Sequence, residues 1–382
     1  MPVNFSQEQL SKTGVEVKNG KEQSSTMDKI NNYLLRFSKV PLKERLFFVQ
    51  HLGVMLKSGI SLSIAIKTLA KQTEHKFFKK VLTDIGTKIE KGSSFAESLD
   101  SHKRIFGELF VNMIEAGELS GKLEEVLRQI FLQMKKDHKL ISKVKGALTY
   151  PAVILMAMFG IGTFMLVFVV PKITAMFTEM NAELPLPTKV LIGLSGLIAN
   201  NGVISAVIFV VLVFSFIKFS KTHKGKYLIQ SLLLKAPVIS PIIKKFNLAR
   251  FARNISSLLK TDIMIIKAFQ ITASVLGNLH YREALIVMSK KIKDGGKLSD
   301  VINTYPKLFT PVVAQMVAIG EETGELDNIL VELAEFYEEE VDQIMESLPA
   351  IIEPLLILIL GLGVGGVAVA IIMPMYSITS SI

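Results

Sequence analysis

Residues 117–123 read Gly117-Glu118-Leu119-Ser120-Gly121-Lys122-Leu123, and residues 320–326 read Gly320-Glu321-Glu322-Thr323-Gly324-Glu325-Leu326. An offset of 203 residues separates the two stretches, and the same offset aligns segments on either side of them. These further segments include Leu56-Lys57-Ser58-Gly59-Ile60 on residues 259–263, Gly92 on Gly295, Ile105-Phe106 on Leu308-Phe309, and Pro151 on Pro354. Self-similarity at a fixed offset indicates that one structural unit has been duplicated. The chain is therefore expected to consist of one unit used twice.

Three apolar runs are long enough to be membrane spans. They cover residues 152–170, 203–217 and 355–373, and none contains Asp, Glu, Lys, Arg or His. About 20 helical residues cross the roughly 30 Å hydrocarbon core of a bilayer. We therefore predict transmembrane helices over residues 151–171, 202–219 and 354–374.

The charge distribution predicts which side of the membrane each part occupies. The net charge is +10, and lysines precede the first run and follow the second, whereas residues 171–202 carry only Lys172 and Lys189. Cytoplasmic flanks of membrane spans collect Lys and Arg. Residues 41–150 and 220–353 are thus predicted to be cytoplasmic, with a short external loop over 172–201 and an external tail over 375–382. Within that loop, residues 189–199 are expected to form an amphipathic helix on the outer surface.

The two polar modules are predicted to be all helical. Apolar residues recur at helical spacing, as from Leu46 to Leu56, and alternating strand patterns of useful length are absent from the sequence. Ser94 and Glu97 have the spacing of a capping box. The predicted fold is an all-α membrane protein with two homologous cytoplasmic bundles of about six helices each and three transmembrane helices. Residues 1–40 are polar and are expected to be a disordered tail.

The sequence offers no motif for catalysis, cofactor binding or metal binding. No P-loop, HExxH or Gly-x-Ser-x-Gly pattern occurs, the six histidines are scattered, and cysteine is absent. Basic residues cluster beside the spans without interleaved aromatics, which argues against nucleic-acid binding. We therefore predict a non-enzymatic protein without a cofactor.

The repeated Gly-Glu-x-Ser/Thr-Gly-x-Leu run is the strongest local signal, and it predicts an interhelical turn. We expect Gly117 and Gly320 to end a helix, because glycine accepts positive φ. Ser120 and Thr323 would cap the next helix, and Gly121 and Gly324 would allow close packing. Glu118 and Glu321 would lie near a helix N-terminus, where negative charge is favourable. A contact loop for a partner is the alternative interpretation, and both can hold.

Glycines in the spans are candidates for close helix packing. Gly160 and Gly162 lie in the first run, and Gly361 and Gly365 form a small-xxx-small pair in the third. Such residues let membrane helices approach closely. Ordinary glycine tolerance in membrane helices is the alternative.

These features together resemble the type II secretion system protein F family, which includes inner-membrane platform proteins of type IV pili. The resemblance covers residues 42–374 and includes Phe48-Val49-Gln50-His51-Leu52-Gly53 and the run that continues to Leu62, both glycine-glutamate runs, and Tyr150-Pro151 at the first span. The chain has Gln50-His51 where the family usually has Arg-Gln, and Asp262 where the first copy has Gly59.

The resemblance implies a scaffold in the cytoplasmic (inner) membrane for assembling a pilus or a secretion pseudopilus. It implies as partners a cytoplasmic assembly ATPase, pilin or pseudopilin subunits, other inner-membrane assembly proteins, the lipid bilayer and further copies of the chain. A membrane-anchored helical adaptor or signalling protein is the alternative. A transporter subunit is less favoured, because the spans lack ionisable residues.

Overall fold

The structure, a computed structural model, describes residues 40–179, 185–199 and 202–379. Apart from Val40, the predicted disordered tail lies outside these residues, as do 180–184, 200–201 and 380–382 of the predicted loop and external tail. The first module contains helices α1 (Leu42–Lys57), α2 (Leu62–Gln72), α3 (Lys76–Glu90), α4 (Phe95–Asp100), α5 (Lys103–Phe106) and α6 (Glu108–Ser120). The membrane region contains α7 (Leu123–Phe164), a π-helical segment (Met165–Val169), α8 (Val170–Glu179), α9 (Leu186–Ala199) and α10 (Gly202–Lys221). The second module and last span contain α11 (His223–Leu233), α12 (Ile239–Leu259), α13 (Ile265–Val275), α14 (Leu279–Lys293), α15 (Leu298–Asn303), α16 (Pro311–Thr323) and α17 (Leu326–Thr379).

The duplication is visible in the helix boundaries. Helices α13, α14, α15 and α16 begin and end 203 residues after α2, α3, α4 and α6, and α17 begins 203 residues after α7. The two modules therefore share their main helices in the same order; the second lacks an equivalent of the short α5 and adds α11 and a longer start to α12. The prediction of two homologous helical bundles with three apolar helices is confirmed.

Each module has an aromatic core built from equivalent positions. Phe48, Phe78 and Phe106 contact one another in the first module. Their equivalents in the second are Phe251, Tyr281 and Phe309, and Phe309 contacts both of the others. The Tyr281 hydroxyl donates to the Leu308 carbonyl at 2.7 Å, and burial raises the pKa of this phenol. The hydrogen bond satisfies the one polar group that the second core buries at this position.

The last helix of each module continues into the membrane without a loop. Helix α7 is 42 residues long and contains Pro151, while α17 is 54 residues long and passes through Pro354. The segments Leu123–Met176, Ile204–Lys221 and Leu326–Met373 are long and apolar enough to cross a bilayer. The boundaries expected at 150/151 and 353/354 thus fall inside continuous helices.

Helix α9 packs against the spans, and the position of residues 189–199 at the outer surface of the membrane stays a prediction. The Thr188 hydroxyl donates to the Ala370 carbonyl of α17, and the Ser195 hydroxyl donates to the Leu166 carbonyl of the π-helical segment, both at 2.6 Å. Both hydroxyl residues are buried. Serine and threonine bond to backbone carbonyls of this kind inside membrane-protein helix bundles. The short segment between Pro185 and the second span contains no sequence pattern that predicts this packing.

Candidate functional site

The first glycine-glutamate run forms the turn between α6 and α7. Gly121 follows α6 with φ of 70°, in the left-handed region. The Lys122 N–H donates to the Gly117 carbonyl at 2.9 Å, and the Gly121 N–H donates to the Glu118 carbonyl at 3.4 Å. These two bonds are the Schellman arrangement that ends a helix. Gly324 follows α16 in the same left-handed conformation, with φ of 76°.

The other glycine of each run lies inside its helix, at a close crossing. A Cβ built on Gly117 would lie 2.8 Å from Val126 Cγ2, and one on Gly320 would lie 3.0 Å from Leu326 Cα. Both glycines are buried. They allow α6 to pack closely on α7, and α16 on α17.

The two glycines therefore have the reverse of their predicted roles. The predictions that Gly117 and Gly320 end the helix and that Gly121 and Gly324 give close packing are wrong. The spacing of the apolar residues indicates the observed role of Gly117, because it lies four residues after Met113 and three after Ile114, both of which are buried. A position on the buried stripe is a packing position, and the next glycine is then free to end the helix.

Ser120 and Thr323 do not cap the helices that follow, so that prediction is also wrong. The Ser120 hydroxyl donates to the Ala116 carbonyl, and the Thr323 hydroxyl to the Ile319 carbonyl, each at 2.8 Å. Both belong to the last turn of the preceding helix. The residue before α7 is Lys122, which makes no side-chain capping bond.

Glu118 lies near the C-terminus of its own helix, and its carboxylate reaches the N-terminus of another. It accepts from the Phe95 and Ala96 backbone N–H groups at 2.7 and 3.0 Å, and so caps α4 from outside. The Ser94 hydroxyl accepts from the Glu97 N–H at 3.1 Å at the same helix start, as the capping-box spacing predicts. A carboxylate at a helix N-terminus satisfies free N–H groups and the positive end of the dipole.

Glu321 repeats this arrangement in the second module. Its carboxylate accepts from the Leu298 N–H at 2.8 Å and from the Ser299 N–H at 3.3 Å, at the start of α15. The Ser299 hydroxyl also donates to it at 3.2 Å. The conservation of this contact between the two copies gives the repeated glutamate a structural role. Partner contact at these turns stays a prediction.

The two modules contact each other through a buried polar cluster. The Gln133 side-chain amide on α7 donates to the Asn254 side-chain oxygen on α12 at 2.7 Å. The Gln133 oxygen accepts from the Ser257 hydroxyl at 2.8 Å. All three residues are buried. Buried amides that are paired in this way fix the relative position of the helices that carry them.

Ion pairs surround this cluster. The Arg250 guanidinium donates to the Asp137 carboxylate at 2.7 Å, and the two are mostly buried. Further pairs join the first module to the second, namely Lys122–Asp262, Lys267–Glu115, Lys136–Glu338 and Lys143–Asp342. The pairs along α7 and α17 join residues about 200 positions apart, so the two helices run parallel and nearly in register. Both modules therefore lie on the same side of the membrane region.

Asp262 has an unusual backbone at this interface. Its φ is 59°, and it is the one residue other than glycine with positive φ among the residues the structure describes. Gly59 occupies the equivalent position of the first module with φ of 79°. Asp tolerates the left-handed region better than most residues. Here its carboxylate gains Lys122 as a partner, and that hydrogen bond raises the pKa of Lys122.

No neighbouring helix approaches the membrane glycines within the described chain. A Cβ built on Gly160, Gly162, Gly361 or Gly365 would meet nothing within 4 Å. These surfaces are open to lipid or to another chain. Their proposed role in helix packing between chains stays a prediction.

Each copy of the duplicated unit matches the same known protein family. The sequence profile described as "Type II secretion system (T2SS), protein F" matches residues 48–171 and 251–374, which are the two copies at the 203-residue offset. The chain belongs to the type II secretion system protein F family. Each match runs from the first core phenylalanine through the span that follows the module, so the family unit includes its own membrane helix. Together with the three apolar helices, this establishes a membrane protein.

Relatives in this family come from pilus and secretion systems. The type IV pilus assembly protein PilC of Thermus thermophilus is 36% identical over 341 residues, covering 89% of this chain and 84% of the relative. PilC of Myxococcus xanthus is 34% identical over 346 residues, covering 91% and 83%. The type II secretion system protein F of Aeromonas hydrophila is 27% identical over 343 residues, covering 90% and 87%. The family is thus one of assembly proteins.

Among residues 40–179, 185–199 and 202–379, no group of three or more His, Asp or Glu side chains is placed to hold a metal ion. The polar contacts described above are helix caps that occur in both copies and contacts between the two modules. The geometry provides precise positioning of two modules and their attached spans.

Proposed function

We propose that the chain is a non-enzymatic inner-membrane platform for assembling a type IV pilus or a type II secretion pseudopilus. In this role it couples a cytoplasmic assembly ATPase to the incorporation of pilin or pseudopilin subunits. The main support is the pair of parallel helices α7 and α17, each of which joins a module directly to a span. A displacement imposed on a module is transmitted to the membrane through continuous helix.

The cytoplasmic location of both modules is part of this proposal. It is supported by the lysines that flank the first two spans and by the parallel ion pairs between α7 and α17. The natural absence of cysteine allows a direct test, since single cysteines can be placed at Lys91, Lys189 and Lys293, all exposed. In intact cells with a permeable outer barrier, a membrane-impermeant maleimide is expected to label only Lys189→Cys. Labelling of Lys91→Cys or Lys293→Cys before lysis would contradict this orientation.

The assembly role is tested in a deletion strain. Loss of fibres or secretion on deletion is expected, with restoration by the wild-type chain and by Gly146→Ala, whose added methyl meets nothing within 4 Å. Gly117→Val, which disrupts the α6–α7 crossing, is expected not to restore assembly. Co-purification of the full-length chain with the assembly ATPase of the same cell tests the coupling. Normal fibres in the deletion strain, together with no ATPase binding, would refute the proposal.

A membrane-anchored adaptor is the second candidate. Its supporting observation is the extensive helical surface of the two modules. An adaptor for signalling would leave fibre assembly intact when deleted, so the same strain separates the two functions.

A further inference from the structure

The contact between the two modules is head-to-tail. Helices α6 and α7 of the first module contact α12, α13 and α17 of the second through Glu115–Lys267, Gln133–Asn254 and Lys136–Glu338. Because the modules are homologous, each side of this contact has an equivalent on the other module. The contact uses one side of each module and leaves those two equivalents unused.

The unused surfaces follow from the 203-residue offset. We call the first the α1 surface, which consists of Phe47, His51, Val54, Ile64, Leu132 and Lys135 on the first module. We call the second the α17 surface, which consists of Ala318, Glu332, Phe336 and Glu339 on the second module. Val54 and Ile64 are 58% and 60% exposed, and Phe336 is 49% exposed. Exposed apolar side chains grouped on one face indicate an interaction surface.

Residues on the two unused surfaces match each other at the centre. Within the chain, Gln133 meets Asn254 and Ser257, a fully polar contact. The equivalent of Gln133 is Phe336, and the equivalent of Ser257 is Val54. Gln133 and Ser257 thus both have apolar equivalents, while the equivalent of Asn254 is the polar His51.

Two outer pairs have also changed together. The ion pair Glu115–Lys267 becomes Ala318 opposite Ile64, so an apolar pair replaces it. The ion pair Lys136–Glu338 becomes Glu339 opposite Lys135, with the charges reversed. Glu339 and Lys135 are exposed, and neither has an ion-pair partner among the described residues. Reciprocal changes of this kind preserve complementarity across a contact.

Four equivalent contacts do not match. Glu325 would lie opposite Gly59 and Glu340 opposite Phe47, while Glu332 would lie opposite Val54 and Glu339 would also lie beside Leu132. Glu340 already pairs with Lys245 in its own module. The matching positions are the central pair Phe336–Val54 and the outer pairs Ala318–Ile64 and Glu339–Lys135, and the centre of an interface holds most of its binding energy.

The relative orientation of the two modules is compatible with attachment of both to one membrane. Helices α7 and α17 run parallel and nearly in register, as the pairs Lys136–Glu338 and Lys143–Glu346 show. The operation that places one module beside the other is thus mainly a rotation about an axis along these helices. Repeating it keeps every module on the same side of the bilayer and adds new modules around the membrane normal.

We propose that the α17 surface of one chain docks on the α1 surface of a second copy of the chain, through a contact equivalent to the one between its own modules. The assembly is head-to-tail, with Phe336 of one copy against Val54 of the next and Glu339 against Lys135. The inference goes beyond the proposed function, because the contact forms between copies in membranes without ATPase or pilin.

Cross-linking between two differently tagged copies tests this contact. One full-length copy carries Val54→Cys and the other carries Phe336→Cys, each in the naturally cysteine-free chain. Mild oxidation of membranes that contain both copies is expected to give a covalent dimer bearing both tags. The matched controls pair Lys91→Cys with Phe336→Cys, and Val54→Cys with Lys293→Cys, and are expected to give at least about tenfold less.

Absence of the mixed dimer, or equal yields in the controls, would overturn the proposal. Maleimide protection of Val54→Cys identifies other occupants. Protection that disappears on removal of residues 1–39, or that requires the ATPase, would assign the surface to the tail or to the ATPase and would also overturn it. Each of these results leaves the deletion test of pilus assembly unaffected.

Charge exchange gives a second, independent measurement on the same cross-link. Glu339→Lys in one copy, or Lys135→Glu in the other, is expected to lower the yield about fivefold. Combining the two restores it to within about twofold. Lys293→Glu is the control and leaves the yield unchanged. Failure of the combined exchange to recover the yield would contradict the assigned pairing.

Discussion

The ammonium group of Lys122 lies 2.9 Å from the carboxylate of Asp262, and this contact joins the α6–α7 turn of one module to the α12–α13 turn of the other. The same aspartate has positive φ where the first module has Gly59. The side chain that strains the backbone is thus the one that reaches the neighbouring module. Asp262 thus combines a strained backbone conformation with a contact between the two modules.

This arrangement predicts different effects for two substitutions of Asp262. Asp262→Gly removes about 1 kcal/mol of left-handed strain and loses an exposed ion pair, so the melting temperature is expected to change little. Asp262→Ala loses the pair and keeps the strain, so its melting temperature is expected to be lower than that of Asp262→Gly. Thermal unfolding of the purified chain in detergent measures both. Equal melting temperatures for the two variants would contradict the strain argument.

The close crossing at Gly117 predicts a second difference. Gly117→Ala places a methyl carbon 2.8 Å from Val126 Cγ2 and 2.9 Å from Val126 Cβ, atoms that cannot rotate away together. We expect a loss of about 1–3 kcal/mol in the free energy of unfolding, and a larger loss for Gly117→Val. Gly146→Ala on exposed helix is the control and should gain about 0.5–1 kcal/mol. Denaturant unfolding that gives both variants the same stability would rule out the packing role.

The repeated glutamates predict a matched pair of losses. Glu118→Gln leaves one side-chain oxygen for the two N–H groups at the start of α4, and Glu321→Gln does the same at α15. We expect each to cost about 1 kcal/mol of unfolding free energy. Glu74→Gln, at an exposed position, is the control. Hydrogen exchange at the Phe95 and Leu298 amides should increase only in the corresponding variant, and unchanged exchange would count against the capping role.

Asp84 predicts a pH dependence of the first module. The hydrogen bond from Lys88 is the main cause that lowers the pKa of this carboxyl, and His102 at 2.7 Å contributes. A lowered folded pKa gives stability that is present above the unfolded value of about 4 and is lost as pH falls through the folded value. The group is mostly exposed, so the effect is expected to stay below about 1 kcal/mol. The melting-temperature gap between wild type and Asp84→Asn should narrow as the pH falls below about 5 and go on narrowing through the lowered folded pKa, and a constant gap would contradict this.

The architecture could be predicted from the sequence because the duplication and the apolar runs each extend over many residues. Helix order, the three spans and the glycine-glutamate turns all follow from periodicity and offset. The predicted roles of Gly117 and Gly121 were exchanged because both lie within one turn, where a shift of a few residues decides which glycine is buried. The reach of Glu118 to α4, 22 residues away along the chain, depends on tertiary packing that no local pattern records.

The contact between the modules could not be predicted from a single sequence for a similar reason. Gln133 and Asn254 are ordinary polar residues on predicted helices, and only the packing of α7 on α12 makes them a buried pair. The α9 contacts of Thr188 and Ser195 were hidden in the same way, since hydroxyls in a short loop give no indication of which carbonyls they meet.

The continuity of α17 has a mechanical consequence. A helix of 54 residues is about 80 Å long at about 1.5 Å per residue, and it has no loop at the point where it enters the bilayer. A tilt of about 5° at the end held by the second module displaces the far end by roughly 7 Å, more than one helical turn. A small tilt of the second module is therefore expected to become a displacement of several ångströms at the far end of the span.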